Sequence, residues 1–342
     1  MTVIRRVGVA MLYVLPAALC LLVLAASVFV FQFWLFLNSP GSVQPQVRAF
    51  SIGSGMSAAA IARLLQSEEV VSDARMFYVL CWWKKSGQKL KAGEYAFSSF
   101  STPTQILDQI VAGKVLLHRV TVPEGSTLAD VAVLLQQAGL AEAKDVIQLA
   151  RNQEFIDALD LNSESLEGYL FPETYYFSRT NNEKTILRAM VQQFRVHFPA
   201  EWQARAHKRG LSIQEVVIMA SMIEKEAVVD SERPVIAGVF FNRLRLNMPL
   251  QSDPTAIYDL PDFSGPITRE HLQRQSPYNT YTNKGLPIGP ICNPGAKSLQ
   301  AVLYPEDVPY LYFVSNNDGT HRFSTTLEDH RRAVSLYRKN SD

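Results

Sequence analysis

The apolar positions of the chain begin with one long run near its start. Residues 7–37 contain no Asp, Glu, Lys or Arg, and aromatic side chains gather toward the far end of the run. A helix of about 20 apolar residues is long enough to cross a bilayer. The pattern therefore predicts a single membrane-spanning helix over residues 7–37.

The charges that flank this run predict its orientation. Arg5 and Arg6 precede it, and the next basic residue is Arg48. Basic residues are retained on the cytoplasmic side of a membrane, so residues 1–6 are expected in the cytoplasm and the rest of the chain outside. The alternative is a cleaved signal peptide, but the run is long for one and no clear small-x-small cleavage site follows it. A linker is predicted over residues 38–46.

An internal repeat follows the linker at an offset of 70 residues. Residues 50–57 align with residues 120–127, and each copy has the pattern of a strand, a glycine turn, a Ser or Thr helix cap and an amphipathic helix. Such units are common, so the repeat reflects either shared ancestry or coincidence. The second copy resembles the opening of a LysM module, which binds N-acetylglucosamine polymers. We expect a small LysM-like α+β subdomain over residues 47–117.

A larger mixed domain is predicted over residues 118–342. Helical patterns cover residues 128–161 and resume at residue 183, whereas the stretch beyond residue 245 is rich in Pro, Gly, Asn and Tyr. Such stretches form loops, and loops commonly line functional sites. The predicted fold class is α+β, with one transmembrane helix, the small subdomain and this mixed domain.

Glu224 interrupts an apolar helical face. Its companions on that face are small and apolar: Val217, Ala220 and Ala227. Burial favours the protonated form of a carboxyl group, which is the form that a general acid needs. The alternative at this point is a buried ion pair, for which Arg243 and Arg245 are the nearest basic candidates. Glu226 and Lys225 face other sides of the helix.

Two loops near the C-terminal end carry polar and aromatic side chains suited to sugars. Gln251 and Asp253 alternate in a proline-bounded segment and are placed to bind hydroxyl groups or orient an acid, although Asp253 also suits the start of a helix at Pro254. Residues 276–282 carry two tyrosines with Asn and Thr neighbours. Such a loop is suited to line a polysaccharide groove, or its tyrosines pack beneath a plain surface loop.

A hairpin is predicted close to the C-terminus. Residues 309–314 have the pattern of a buried strand, the Asn-Asn-Asp-Gly sequence at 316–319 favours a tight turn, and His321 begins the return strand. A single histidine on a strand is more often structural than functional.

Composition and motifs exclude several classes of function. The formal net charge is +1, which gives no polybasic signature for nucleic acid. The cysteines are scattered without zinc-type spacing. No phosphate-binding loop, dinucleotide fingerprint, Gly-x-Ser-x-Gly elbow or His-Glu-x-x-His motif occurs. We therefore expect no cofactor and no metal. The candidate site that is left is an isolated acid beside a carbohydrate groove.

Taken together, these motifs resemble those of the endolytic murein transglycosylase (YceG-like) family over nearly the whole chain. The motifs are LEG at 166–168, FPETY at 171–175, ASMIEKE at 220–226, FNRL at 241–244, LQSDPT at 250–255, YNTY at 278–281, GLPIGPI at 285–291 and PYLYFV at 309–314. One departure is Ala227, where many members have Thr. The resemblance implies that Glu224 is the catalytic acid. The substrate-binding residues that we expect are Glu167, Gln251, Asp253, Asn279, Tyr281 and Thr282.

The resemblance also implies an activity. Members cleave the β-1,4 bond between N-acetylmuramic acid and N-acetylglucosamine inside peptidoglycan strands without water, leaving 1,6-anhydro ends. It further implies an inner-membrane protein with a periplasmic catalytic domain over residues 118–342, which terminates nascent strands, with peptidoglycan synthases as candidate partners. The competing interpretations are a muramidase-type hydrolase and a non-catalytic glycan-binding anchor.

Overall fold

The computed structural model describes residues 2–40, 47–98, 100–260 and 263–339. The chain forms two compact units: the first comprises Met1–Leu117 with Ser178–Thr180, and the second comprises His118–Phe177 with Asn181–Asp342. Helices dominate both units, and the strands of the described residues pair into three two-stranded antiparallel sheets. The predicted α+β class is therefore confirmed.

The first unit carries the long apolar helix. Its helices are α1 (Thr2–Asn38), α2 (Ala58–Ser67), α3 (Ala74–Trp83) and α4 (Pro103–Ala112), and its strands are β1 (Val47–Ile52) and β2 (Gly93–Ser98). The segment Pro16–Asn38 of α1 is long and apolar enough to cross a membrane, with a mean hydropathy of 2.4. A small core of its own holds this unit together. Its fully buried side chains include Leu65, Phe77, Leu80, Tyr95 and Leu107.

The second unit contains the remaining elements. Its helices are α5 (Leu128–Gln137), α6 (Ala143–Ala150), α7 (Gln153–Asp157), α8 (Glu183–His197), α9 (Ala200–Lys208), α10 (Ile213–Glu226), α11 (Arg233–Arg245), α12 (Asp253–Ile257), α13 (Arg269–Gln273), α14 (Ala296–Leu303) and α15 (Leu327–Lys339). Its strands are β3 (His118–Thr121), β4 (Thr174–Phe177), β5 (Tyr312–Ser315) and β6 (His321–Ser324). A short 3₁₀ turn, Asp230–Glu232, leads into α11.

The internal repeat is present in the fold. In each copy a strand leads through a glycine turn into a capped helix, and Gly55 and Gly125 have φ angles of 78° and 77°. The hydroxyl groups of Ser57 and Thr127 cap α2 and α5 by accepting backbone N–H bonds. A later antiparallel strand completes each copy, as β2 pairs with β1 and β4 with β3. Stacked ring pairs also correspond: Tyr95 with Phe97, and Tyr175 with Phe177.

The C-terminal hairpin is confirmed, but its first strand differs from the prediction. β5 begins at Tyr312 rather than at residue 309, and its residues are half-buried rather than buried. α15 covers the hairpin only in part, which leaves the strand partly open. His321 has a structural contact, since its Nδ1 lies 2.7 Å from the Glu232 carboxylate.

Helix α11 packs unusually close to the segment before the hairpin. A Cβ atom on Gly238 would lie 2.5 Å from the carbonyl oxygen of Glu306 and 2.8 Å from a methyl group of Val308. Glycine is therefore required for this contact. The contact matters for the site because α11 begins at Arg233, whose side chain reaches Glu224.

We expect Gly238→Ala to destabilise the protein by about 1–3 kcal/mol, because the added methyl group overlaps the carbonyl oxygen of Glu306. The measurement is chemical denaturation of the detergent-solubilised chain, followed by circular dichroism. The sign of the change in the free energy of unfolding is diagnostic, because replacing glycine by alanine in an unobstructed helix stabilises it by up to about 1 kcal/mol. A stabilised variant would show that the close contact is absent.

Candidate active site

Glu224 lies in the last turn of α10, a helix whose central residues are buried in the core of the second unit. The Ser212 hydroxyl and the Glu215 carboxylate form a capping box at the start of α10, and every residue from Val216 to Ile223 is buried. The polar Ser221 is accommodated in this core because its hydroxyl donates to the Ile218 carbonyl and accepts from the Ile291 amide. The predicted apolar face around Glu224 is thus confirmed.

The Glu224 carboxylate is paired on both oxygens. Oε1 lies 3.2 Å from a guanidinium nitrogen of Arg233, and Oε2 accepts the Gly295 backbone N–H at 2.9 Å. The Glu224 and Arg233 side chains are only 5% and 7% exposed. The site therefore places one carboxylate, one guanidinium and one peptide dipole together with little solvent around them.

The ion-pair alternative is correct in kind, but the expected partners are wrong. Arg243 donates instead to the Leu250 and Leu311 carbonyls, and Arg245 donates to the Asn242 side chain. The actual partner, Arg233, follows Glu224 after the short 3₁₀ turn, which directs the chain back toward the end of α10. Arg233 is held by its own acceptors: Asp230 Oδ1, the Ala227 carbonyl and Ser298 Oγ.

The turn of the second repeat forms another wall of the site. A Cβ on Gly125 would lie 3.7 Å from Cγ of Glu224, and Lys225 donates from Nζ to the Gly125 carbonyl at 3.2 Å. The turn is also joined to the chain before Gly295, since Gly125 N–H donates to the Asn293 carbonyl and Asn293 N–H donates to the Ser126 carbonyl. The LysM-like turn and the catalytic candidate therefore belong to one site.

Glu124 brings a second carboxylate to this site. A Cβ on Gly295 would lie 1.9 Å from Glu124 Oε1. With standard bond lengths, this contact and the Gly295–Glu224 hydrogen bond hold the nearest oxygens of the two carboxyl groups within roughly 7 Å. Desolvation and the charge of Glu224 raise the pKa of Glu124, and Arg233 and Lys297 partly oppose that rise.

Sequence reasoning missed Glu124. Glu124 lies in the turn that resembles a LysM motif. A comparison of the two repeat copies offers a signal for this residue. The corresponding position in the first copy is Ser54, so an acidic residue occurs only in the copy that adjoins Glu224. No local pattern in the chain places this turn close to residue 224.

A second cluster of acidic and aromatic residues surrounds Glu226. Ser252 Oγ donates to its carboxylate at 2.6 Å, and desolvation raises the pKa of Glu226 to about 7, partly offset by that hydrogen bond. The Tyr281 hydroxyl donates to Asp253, and Arg243 donates to the Gln251 side chain. Three predicted substrate-binding residues, Gln251, Asp253 and Tyr281, are thus grouped near Glu226. Asp253 is the first residue of α12, and Ser252 is its N-cap.

The other three predicted substrate-binding residues have different surroundings. Glu167 is buried, and its oxygens accept from the Leu128 N–H and the Tyr258 hydroxyl. Asn279 is fully buried and donates to the Leu272 and Arg274 carbonyls, whereas Thr282 lies at the surface. The placement of Glu167 and Asn279 is typical of structural residues, and the binding role of all six stays a prediction.

Asn293 connects the loops around the site. Its side-chain oxygen accepts the N–H groups of Gly168 and Leu170, both at 2.9 Å, and its side-chain amide donates to the Ser126 carbonyl and to Glu167. The side chain is completely buried. Within the part of the chain that the structure describes, no group of three or more His, Cys, Asp or Glu side chains is arranged to hold a metal ion.

Comparisons with known proteins agree with the motifs. The profile of the YceG-like family matches residues 50–336. An endolytic murein transglycosylase from Bacillus subtilis (strain 168) is 32% identical over 303 residues, covering 84% of each chain. A crystal structure of a yceG-like protein from Listeria monocytogenes is 35% identical, with a TM-score of 0.59, and the match covers 84% of this chain and 98% of that one.

A longer relative is also similar. An endolytic murein transglycosylase from Streptococcus pneumoniae serotype 2 (strain D39 / NCTC 7466) is 26% identical over 315 residues, which cover 83% of this chain and 57% of that protein. The chain therefore spans a little more than half the length of this relative.

We expect Glu167→Ala to destabilise the protein by about 2 kcal/mol or more, because the Leu128 N–H and the Tyr258 hydroxyl lose their buried acceptor. The variant Glu167→Gln tests how the charge of Glu167 affects the pH dependence of stability. Desolvation raises the folded-state pKa of Glu167 to about 7, so its contribution to stability is complete below the unfolded-state pKa and is lost as pH rises through 7.

The free energy of unfolding of Glu167→Gln should therefore fall less than that of the wild type between pH 5 and pH 7. Denaturant titrations at several pH values measure this difference. Unchanged stability of both variants, together with a raised KM for glycan, would instead assign Glu167 to substrate binding.

Proposed function

The chain belongs to the YceG-like family, and on this basis we propose that it is a membrane-anchored endolytic lytic transglycosylase of peptidoglycan. The observation that carries the proposal is the Glu224 carboxylate, enclosed at the end of α10 between Arg233 and the Gly295 N–H. Relatives named endolytic murein transglycosylase support the same activity. The bond cleaved is the β-1,4 bond between N-acetylmuramic acid and N-acetylglucosamine.

Glu224 acts first as a general acid. Its carboxyl group donates a proton to the glycosidic oxygen, the bond from that oxygen to the anomeric carbon of the muramic sugar breaks, and N-acetylglucosamine leaves with a free hydroxyl group. Positive charge develops on the anomeric carbon as the bond breaks. The N-acetyl group of the same sugar is placed to stabilise this centre.

Glu224 then acts as a general base. The ionised carboxylate accepts the proton of the C6 hydroxyl group while that oxygen bonds to the anomeric carbon, which yields a 1,6-anhydro sugar. The proton given in the first step is regained in the second, so no water is consumed. Arg233 neutralises the charge of Glu224 between the two steps, and the Gly295 N–H fixes the orientation of the carboxylate.

A muramidase-type hydrolase is the second candidate, and Glu124 favours it. Glycoside hydrolases of the common kind use two carboxyl groups, separated by about 5–9.5 Å depending on whether they retain or invert the anomeric configuration. The nearest oxygens of Glu124 and Glu224 are at most roughly 7 Å apart, which is close enough for two carboxyl groups to act on one glycosidic bond. In this mechanism Glu124 serves as the nucleophile or activates a water molecule.

The proposed location of the protein rests on α1. We propose that Pro16–Asn38 is a single-pass anchor in the inner membrane, with the N-terminus in the cytoplasm and the catalytic unit in the periplasm. This arrangement keeps the enzyme near the site where new glycan strands emerge from the membrane. Termination of nascent strands beside a peptidoglycan synthase is the corresponding role.

Glu224→Gln is expected to lower the turnover of purified peptidoglycan by about 10²–10⁴-fold, because the amide neither donates nor accepts the catalytic proton. The fold should survive, since the Gln oxygen still accepts the Gly295 N–H. Glu215→Gln is the matched control, because it makes the same change in the capping box of the same helix. Wild-type turnover by the Glu224 variant would exclude this residue as the acid.

Glu124→Gln distinguishes the two mechanisms when it is combined with mass spectrometry of the products. A one-carboxylate transglycosylase should yield anhydro ends, and this variant should keep turnover within about tenfold of the wild type. A hydrolase should yield reducing ends, with a loss comparable to that of Glu224→Gln. Reducing ends together with that loss of turnover would replace the transglycosylase assignment by a hydrolase.

A further inference from the structure

Helix α3 of the first unit exposes three large aromatic side chains. Trp82 is 75% exposed, Trp83 is 59% exposed and Tyr78 is 48% exposed. The opposite side of the helix supplies core residues such as Phe77 and Leu80, so α3 presents aromatic side chains both inward and outward. Side chains of this size are costly to leave in water. We refer to Tyr78, Trp82 and Trp83 as the aromatic surface.

The aromatic surface adjoins the end of the membrane-spanning helix within the same unit. The ring of Trp83 contacts the ring of Phe33 edge to face, with 5.9 Å between their centroids. Phe36 of α1 is buried in the core of the unit, and Phe33 and Leu37 pack against it. The last turn of α1 is therefore packed onto the unit, and this packing fixes where the aromatic surface lies along the helix.

This position corresponds to the boundary between lipid tails and headgroups. Phe33 precedes Asn38, the last residue of α1, by little more than one turn, or about 7 Å along the axis. Trp and Tyr concentrate at this depth, because their rings are apolar and each carries a polar N–H or O–H group. Lys84 and Lys85 follow the aromatic surface directly and are exposed, which suits them to bind lipid phosphate groups.

We propose that the aromatic surface inserts into the outer leaflet of the membrane that α1 crosses, so that the first unit rests on the bilayer rather than hanging from a free tether. The proposal rests on the proposed anchoring role of α1. The aromatic surface binds the phospholipid headgroup layer, which the neighbouring anchor already brings to the same place. One consequence is that α3 limits how far the first unit can tilt or move away from the bilayer.

Tryptophan fluorescence tests this proposal, since the four tryptophans are Trp34, Trp82, Trp83 and Trp202. The full-length chain is reconstituted in phosphatidylcholine and phosphatidylglycerol vesicles, with or without lipid brominated near the headgroup end of its acyl chains. The reporter variant carries Trp34→Phe and Trp202→Phe and keeps the aromatic surface. We expect bromine to lower its emission by about twofold or more, because bromine quenches only rings at lipid depth.

Two further variants provide the controls. A chain that keeps only Trp34 reports the anchor itself, and a chain that keeps only Trp202 reports a ring packed against Phe198 in the second unit. The first should be quenched and the second should not. Melting curves of each variant verify that the Trp→Phe changes leave the fold intact.

The outcomes separate the two levels of the argument. Quenching of Trp34 without quenching of Trp82 and Trp83 would overturn the docking of the aromatic surface and leave the anchor in place. An absence of quenching in both the reporter variant and the chain that keeps only Trp34 would overturn the anchor and the proposal that rests on it.

Discussion

The buried side chain of Asn293 is the contact on which the site depends. It accepts from two backbone N–H groups that follow Glu167 and donates to Ser126 in the turn of the second repeat. Its own backbone pairs with that same turn, two residues before Gly295 donates to Glu224. A single amide thus joins three loops that lie far apart in sequence. Water does not reach these buried groups. The loss of the hydrogen bonds to any one loop would therefore leave polar groups of the other loops without a partner.

The end of α10 separates two acidic groups with different environments. The Glu224 carboxylate pairs with a guanidinium and a peptide N–H. Ser252 Oγ donates to Glu226, and desolvation raises the pKa of Glu226, with a further rise from the nearby Asp253 carboxylate. The two side chains are close in sequence, yet the helix directs them into different networks.

The first unit combines a long apolar helix with one copy of the strand–turn–helix repeat. Its core includes the last turn of α1, so the apolar helix is packed against this unit. Most of the linker predicted over residues 38–46 lies outside the described residues. Edge-to-face contact between Phe33 and Trp83 extends that packing to the outer side of α3. The same helix therefore contributes to the stability of the unit and defines the level at which its exposed aromatic residues lie.

The sequence by itself determined most of the elements and singled out Glu224. The apolar run, the Ser and Thr caps, the glycine turns and the hairpin are governed by neighbours a few residues apart, so their patterns predict them directly. The place of Glu224 on an apolar face is equally local. Only the tertiary structure decided that Arg233 rather than Arg243 or Arg245 pairs with Glu224, and that Glu124 stands beside it. Gly295 is 71 residues from Glu224, and Gly125 is 100 residues from Lys225. Contacts over such separations depend on how the whole core packs, and no local pattern encodes them.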